Sequence, residues 1–375
     1  MQAGKGEGKK ETKRTNKARI ARLISETGAM SKNEVAARLG FSMPTTLQHI
    51  KELVEEGYVV ESGEQESTGG RKAKILSIAG DAGYAAGMEI TLDDILFVLV
   101  NMRRELVRKA RIRVPFSKDF SYYEAMANWL RVFLEQTGVE QEKILGVGIA
   151  LPGVVDQKEK VLRYSHVLQA ENMSFKGFEE LSGYSCEIES DANGAAYAER
   201  SGRQRDLIYL SLNDTVGGSI FLNQKVYGGE NNRSAGFGHL KIERNGRPCY
   251  CGGKGCLDAY CSSRALQGEE QNLDVFFEKV RARDRGCRQH LEEYLENLAI
   301  AIADLRMVFD CNIMIGGKAG RYLKEFRKEL DRKVMVCNQL DLDTSFLEMG
   351  KCQAEASAQG VAIRFVERFF EEMGC

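Results

Sequence analysis

The sequence predicts an α/β protein with an N-terminal winged helix-turn-helix, on three observations. Residues 17–60 show helical periodicity in three bursts and lead into two short strands. Beyond Gly83, apolar strand candidates alternate with amphipathic helices, the pattern of an α/β body. Cys249, Cys251 and Cys256 place three thiols within eight residues, close after His239, and such a set closes a tetrahedron around a structural zinc ion.

Length and composition exclude several classes. A chain of 375 residues is too long for one ordinary domain and calls for two or three, each with its own core. With 43% hydrophobic and 29% charged residues it has the make-up of a soluble protein, and no apolar run approaches a membrane span in length. Residues 1–17 lack the apolar stretch of a secretory signal, so the expected compartment is the cytoplasm. Ten cysteines, three clustered and the rest scattered, suit a reducing compartment without disulfides. The net charge of -1 hides an asymmetry, because residues 1–80 hold 14 Lys/Arg against 10 Asp/Glu. Residues 1–16 read as a basic flexible arm, either a solvated tail or a non-specific phosphate contact.

The DNA-binding head is expected over residues 17–80. Ala18, Ile20, Leu23 and Ile24 form one face of a first helix that ends near Gly28. Ser31 and Glu34 match a capping box, so a second helix starts there with Val35, Ala36 and Leu39 facing inward. Gly40 and Phe41 turn the chain, Ser42 caps a third helix, and Pro44 fits its first turn. Leu47, Ile50, Leu53 and Val54 are assigned to the buried stripe of that helix, which leaves Thr45, Thr46, Gln48, His49 and Lys51 for groove contact. His49 suits a base edge or a phosphate. Residues 58–61 and 73–76 read as the strands of a wing whose basic tip holds Arg71 and Lys72.

Residues 81–375 make the body. Strands are expected at 95–100, 111–114, 144–150, 207–212 and 313–317, an amphipathic helix at 123–137, and long helices at 291–309 and 354–373. Trp129, at helical spacing from Met126 and Phe133, reads as core. Cys249, Cys251 and Cys256 offer three thiolates from a glycine-rich loop, and His239 completes a closed Cys₃His set that argues for scaffolding rather than hydrolysis. Cys261 is the alternative ligand.

Several motifs agree in order and spacing with one family: Gly69-Gly70-Arg71-Lys72, Leu151-Pro152-Gly153-Val154-Val155-Asp156, Asp191-Ala192-Asn193-Gly194-Ala195-Ala196, the Cys/His cluster and Gly316-Gly317. In them the chain resembles the ROK family of repressors, open reading frames and sugar kinases, in its repressor branch with an N-terminal winged helix. The resemblance implies a two-lobed, actin-like body of the sugar-kinase and ribonuclease H type over 81–375, a homodimer or dimer of dimers, and a carbohydrate effector. It also implies ligand contacts at Ser190, Asp191, His239 and Asp258, with Asp191 at the position of the family's general base.

The chain departs from the family at its phosphate loops. Glu89-Ile90-Thr91-Leu92 stands where kinases carry Asp-x-Gly-Gly-Thr, and the second loop is degraded to Asn213-Asp214-Thr215-Val216-Gly217-Gly218-Ser219. Glycine lets backbone amides approach a phosphate, so the loss argues against kinase activity. Ser190, Gly236 and Val167 replace two asparagines and a glutamate of the sugar site, and Asp258 shortens a second glutamate. The expected function is a sequence-specific DNA-binding regulator, a repressor of carbohydrate-metabolism genes, that binds double-stranded operator DNA and a sugar or sugar derivative. Two rivals stand beside it: an ATP-dependent sugar kinase, and a metabolite-insensitive DNA-binding dimer with a vestigial kinase body.

Overall fold

Helix α1 (Gly4–Thr27) buries Ala18, Ile20, Ala21, Leu23 and Ile24 and stops at Gly28, whose φ of +85° is left-handed. The computed structural model describes residues 4–65, 73–200, 205–351 and 354–373. Because α1 begins at Gly4, the backbone of residues 4–16 is helical where the sequence suggests a flexible arm. Lys, Glu and Arg are good helix formers and prolong the helix that the buried stretch nucleates.

The rest of the head follows its caps. After β1 (Met30–Ser31), Ser31 makes both hydrogen bonds of the capping box at the start of α2 (Lys32–Leu39). Ser42 accepts the Thr45 amide at the start of α3 (Met43–Glu55). The wing strands β2 (Val59–Gln65) and β3 (Ala73–Ile78) pair antiparallel, and β1, which the sequence does not announce, adds a third strand in the order β1-β3-β2. The wing tip, with Arg71 and Lys72, lies outside the described residues.

The buried face of α3 differs from the expected stripe. Thr46, His49, Ile50 and Leu53 point inward, with Thr46 at 0% and His49 at 2% exposure, while Leu47 is 43% exposed and Val54 turns outward too. Positions 46, 50 and 53 keep the i, i+4, i+7 spacing, so the stripe is rotated by one residue from the one that side-chain hydrophobicity selects. The Thr46 hydroxyl donates to the Ser42 carbonyl at 3.0 Å and His49 Nδ1 lies 3.2 Å from Glu52, so both polar groups are satisfied inside.

The body has two lobes of one plan. The first holds β4 (Tyr84–Ile90), β5 (Ile95–Asn101), β6 (Leu106–Ile112), α4 (Phe120–Glu135), β7 (Ile144–Leu151), the side sheet β8 (Val154–Asp156), β9 (Val161–Ser165) and β10 (Ala170–Ser174), then α5 (Lys176–Ser182) and β11 (Cys186–Ser190). Helix α6 (Asp191–Arg200) leads to the second lobe. There β12 (Leu207–Leu212), β13 (Val216–Leu222) and β14 (Lys225–Val226) precede the short helices α7 (Asp258–Cys261) and α8 (Ser263–Gln267). Next come α9 (Leu273–Arg281), the long α10 (Arg285–Phe309), β15 (Asn312–Gly316), α11 (Gly317–Leu323), α12 (Arg327–Cys337) and β16 (Leu347–Met349). Helix α13 (Ala356–Glu372) returns to the first lobe. The sheets run β6-β5-β4-β7-β11 and β14-β13-β12-β15-β16: each is an antiparallel meander extended by two parallel strands. Strand β6 ends at Ile112, earlier than expected. Trp129 is 37% exposed and not core, since Met126, Leu130 and Phe133 form the inner stripe of α4 and leave it on the flank.

Helix α13 joins all three parts. A Cβ on Gly87 would lie 2.0 Å from the Ala358 carbonyl oxygen, one on Gly148 2.5 Å from that of Val361, and one on Gly360 1.6 Å from that of Gly194. Glycine at these sites lets β4, β7 and α6 meet α13 backbone to backbone. On its other side Phe365, Val366 and Phe370 share a core with Ile20, Ile24, Ile50 and Leu53 of the head, and Tyr58 meets Phe369 with ring centroids 5.3 Å apart. The eight described cysteines are all free thiols, and no described helix is long and apolar enough to cross a membrane. Gly360→Ala should therefore cost about 2–3 kcal/mol in urea unfolding, while Gly177→Ala on α5, with only Phe120 near at 3.8 Å, should be neutral or slightly stabilising.

Candidate functional site

A cleft of about 1140 Å³ separates the lobes. Its wall is built where β11 runs into α6, so the residues at that junction face the opening. Ser190 accepts the Asn193 amide at 3.3 Å, and the buried Glu189 accepts from the Ser190 amide at 2.8 Å and from Asn193 Nδ2 at 2.9 Å. Burial raises the Glu189 carboxyl. Asp191 and His239 also line the cleft, so three of the four expected ligand residues converge. Asp258 does not line it: its carboxylate is buried and accepts the Val216 amide at 2.6 Å, which ties α7 to β13. That bond engages Oδ1 of the carboxylate.

The Cys/His cluster sits beside this wall. All four donor atoms lie within 4.8 Å of one another, with Cys251 Sγ 3.7 Å from Cys256 Sγ and Cys249 Sγ 3.9 Å from His239 Nδ1. A tetrahedral ion with bonds of about 2.3 Å to sulfur separates its sulfurs by about 3.8 Å, so the donor set fits a metal ion. Gly255 is left-handed at φ +72°, and a Cβ there would lie 1.6 Å from the Glu243 carbonyl, so only glycine lets the loop close. Burial pushes the Cys249 thiol up to about 12, which a bound cation would offset. Lys241 Nζ donates to Cys256 Sγ at 3.0 Å. Cys261 is not a ligand: it is fully buried beneath α7, with Sγ 3.9 Å from the Tyr294 carbonyl. His239 turns Nδ1 to the sulfurs and Nε2 to Tyr250 at 3.4 Å, so metal and cleft would meet different nitrogens.

At the family's two phosphate-loop positions the backbone forms a strand end with its turn, and a strand. Glu89 is the penultimate residue of β4, and Leu92 is exposed in the turn to β5, where Thr91 bonds Asp94. Gly217 and Gly218 are strand residues of β13, and a Cβ on Gly218 would lie 2.2 Å from the Phe237 ring. Asp214 accepts from Ser263 at 2.9 Å and pairs with Lys318 at 2.8 Å. Burial opposes its ionisation, yet Lys318 and Ser263 hold its carboxyl below the usual range. Burial, together with Asp191, pushes Glu89 up to about 7, and burial pushes Asp191 up to about 6. Asp191 thus sits between two further carboxylates, raising that of Glu89 and being raised by that of Asp214.

On the head, Gln48 and Lys51 are exposed and Thr45 is half-buried, bonding Ser42, so these three stay on the outer face of α3. The buried Thr46 and His49 leave it, and Leu47 joins it. Residues 85–366 match the ROK family, and residues 14–60 match a winged helix-turn-helix DNA-binding domain. The chain belongs to the ROK family. This ROK protein is 25% identical to a xylose repressor of Caldicellulosiruptor bescii over 93% of its own length and 94% of the relative's. Its fold matches a crystal structure titled a ROK family transcriptional regulator, homolog of the E. coli MLC protein, with TM-score 0.77 and 17% identity over 97% and 98% of the two chains. A ROK family glucokinase from Streptomyces griseus matches with TM-score 0.64 and 21% identity over 75% and 99%.

Sequence reasoning missed other residues of the site. Asn193 lies three positions past Ser190, a helical spacing that was readable. Tyr250 lies between two cysteines and stacks on His166 with centroids 4.0 Å apart, a contact across the cleft with no local signal. The raised carboxyls carry a pH consequence. A carboxyl whose pKa is raised by folding contributes stability below its unfolded value and loses it as pH rises through its folded value. Between about pH 4.5 and 7 the protein should lose stability through Glu89. Glu89→Gln should raise urea stability by about 1–2 kcal/mol at pH 8 and change it little at pH 4.

Proposed function

We propose that this ROK protein is a DNA-binding transcriptional repressor of carbohydrate-metabolism genes whose body senses a carbohydrate instead of phosphorylating one. The observation that carries the reading is a winged helix-turn-helix joined to a ROK body, and the departure of residues 89–92 and 213–219 from the family's phosphate-loop pattern supports it. The head, 17–80, reads DNA, and 81–375 binds the ligand and the second subunit. Two heads held by a homodimer or dimer of dimers would read a pseudo-palindrome in successive major grooves. Thr45, Gln48 and Lys51 would contact the groove, Leu47 would offer an apolar contact of the kind that recognises a thymine methyl, and Arg71 and Lys72 would grip phosphate.

Ser190, Asp191 and His239 would take ligand hydroxyls. Asp191 keeps the general-base position, but without a cradled phosphoryl donor a base has no reaction to assist. A ligand would change DNA affinity only by its differential affinity for the two lobe arrangements. His239, Cys249, Cys251 and Cys256 would hold a structural zinc that fixes the cleft-side loop and, by ligating Nδ1, leaves the proton of His239 on Nε2.

Fluorescence anisotropy on a recovered operator tests the head. Gln48→Ala should change preference among sites, whereas Arg71→Ala should weaken binding to every sequence by about tenfold and lower the salt slope by about 1. Wild-type affinity and preference in both variants would overturn the assigned face. Metal analysis should find one zinc per chain, and Cys251→Ser should lose the metal together with several degrees of melting temperature. An unchanged melting temperature in metal-free protein would remove the scaffolding role.

A further inference from the structure

The cleft is longer than one sugar ring and changes character along its length. At one end His239, Tyr250 and His166 frame the Ser190 and Asp191 wall. From there Ser190 at the end of β11 and then Asn193, Tyr197 and Arg200 of α6 line the side, and Glu371 of α13 and Arg22 of the head line the far end. At 1.5 Å per residue, the path from Ser190 to Arg200 covers about 15 Å. The volume of about 1140 Å³ lies above the roughly 300–1,000 Å³ that accommodate drug-sized ligands. A monosaccharide of about a dozen heavy atoms would leave most of that space to water.

The lining is polar and electrically balanced, with six Lys/Arg and six Asp/Glu side chains. At the far end the charges are already paired: Arg200 meets Glu367 at 3.3 Å and Arg22 meets Glu371 at 3.4 Å. Such a wall offers donors and acceptors side by side, which suits hydroxyls that do both, and its lining carries no net positive charge that would favour a phosphate. Tyr164 and Tyr250 line the same cleft with partly exposed rings, and aromatic faces suit the apolar side of a pyranose. At the near end, Gly236 and Val167 offer a hydroxyl no hydrogen-bonding side chain, so affinity has to be gathered elsewhere along the cleft.

Building on the carbohydrate reading above, we infer that a second saccharide subsite lies between α6, β14 and α13, and that the ligand is a neutral oligosaccharide of at least two rings. Its far ring would touch Arg22 and Glu371, so the ligand would reach the head directly.

Calorimetric titration of the full-length, metal-loaded protein tests this with D-xylose, D-glucose and N-acetyl-D-glucosamine, their 6-phosphates where they exist, and their homologous di- and trisaccharides. At least one di- or trisaccharide should bind about tenfold tighter than its own monomer. Lys225→Trp, which fills the cleft beside β14, should bring that ratio back to within about threefold, and so should Glu371→Ala, a change on a helix surface. Equal affinity for monomers and oligomers would overturn the second subsite and leave the carbohydrate reading standing. A phosphorylated sugar binding tighter than every neutral one would overturn the neutral ligand. Binding of none of these compounds would overturn both the inference and the carbohydrate reading.

Discussion

Backbone-to-backbone packing of α13 against Gly87, Gly148 and Gly194 holds the head and the two lobes in one frame, and the other features of the molecule follow from it. The apolar face of α13, with Ala358, Ala362, Phe365, Val366 and Phe370, closes the first-lobe sheet and accepts the head in the same core. Its polar face, with Arg364, Glu367 and Glu371, lines the cleft. One helix therefore lines the cleft on one side and carries the winged head on the other. Because α13 comes last in the chain and packs on β4 near residue 87, the frame is complete only after the most distant contacts form, a topology that folds slowly.

Electrostatics add direction to that frame. Glu367 Oε1 accepts from Arg104 of the β5–β6 turn at 3.2 Å and from Arg200 of α6 at 3.3 Å, and Arg200 also donates to the Gln224 carbonyl in the β13–β14 turn. Arg104 is buried, and its Nε and Nη2 have no hydrogen-bond partner among the described residues. A buried guanidinium satisfied by one carboxylate oxygen contributes little net stability. A crevice of about 680 Å³ lies between the head and the second lobe, with Leu23 and Arg38 on one side and Arg205 and Asn312 on the other.

Much of this was legible in the residues. Ser31, Glu34, Ser42 and Pro44 announced the helix starts because capping is a local interaction, and the Cys/His spacing announced the cluster because its ligands come from one loop and a nearby turn. Long-range packing was not legible. Leu47 is more apolar than Thr46, yet α1, α2 and β2 together select the face that carries Thr46 and His49. The bond from the Val216 amide to Asp258 joins residues 42 positions apart and has no local signal. The glycines of β4 and β7 give no local sign of their partner, and the close approach of α13 accounts for them. The one-core fusion of head and body is likewise invisible in a sequence that divides readily at residue 80.

The most direct measurement of the central claim is to incubate the metal-loaded, full-length protein with fragmented genomic DNA from its own source and sequence what is retained. The account predicts strong enrichment of a pseudo-palindromic site next to carbohydrate-metabolism genes, with retention lost when one saccharide is added. Retention no better than bulk DNA, together with transfer of phosphate from ATP to any sugar, would contradict it and identify the body as a working kinase.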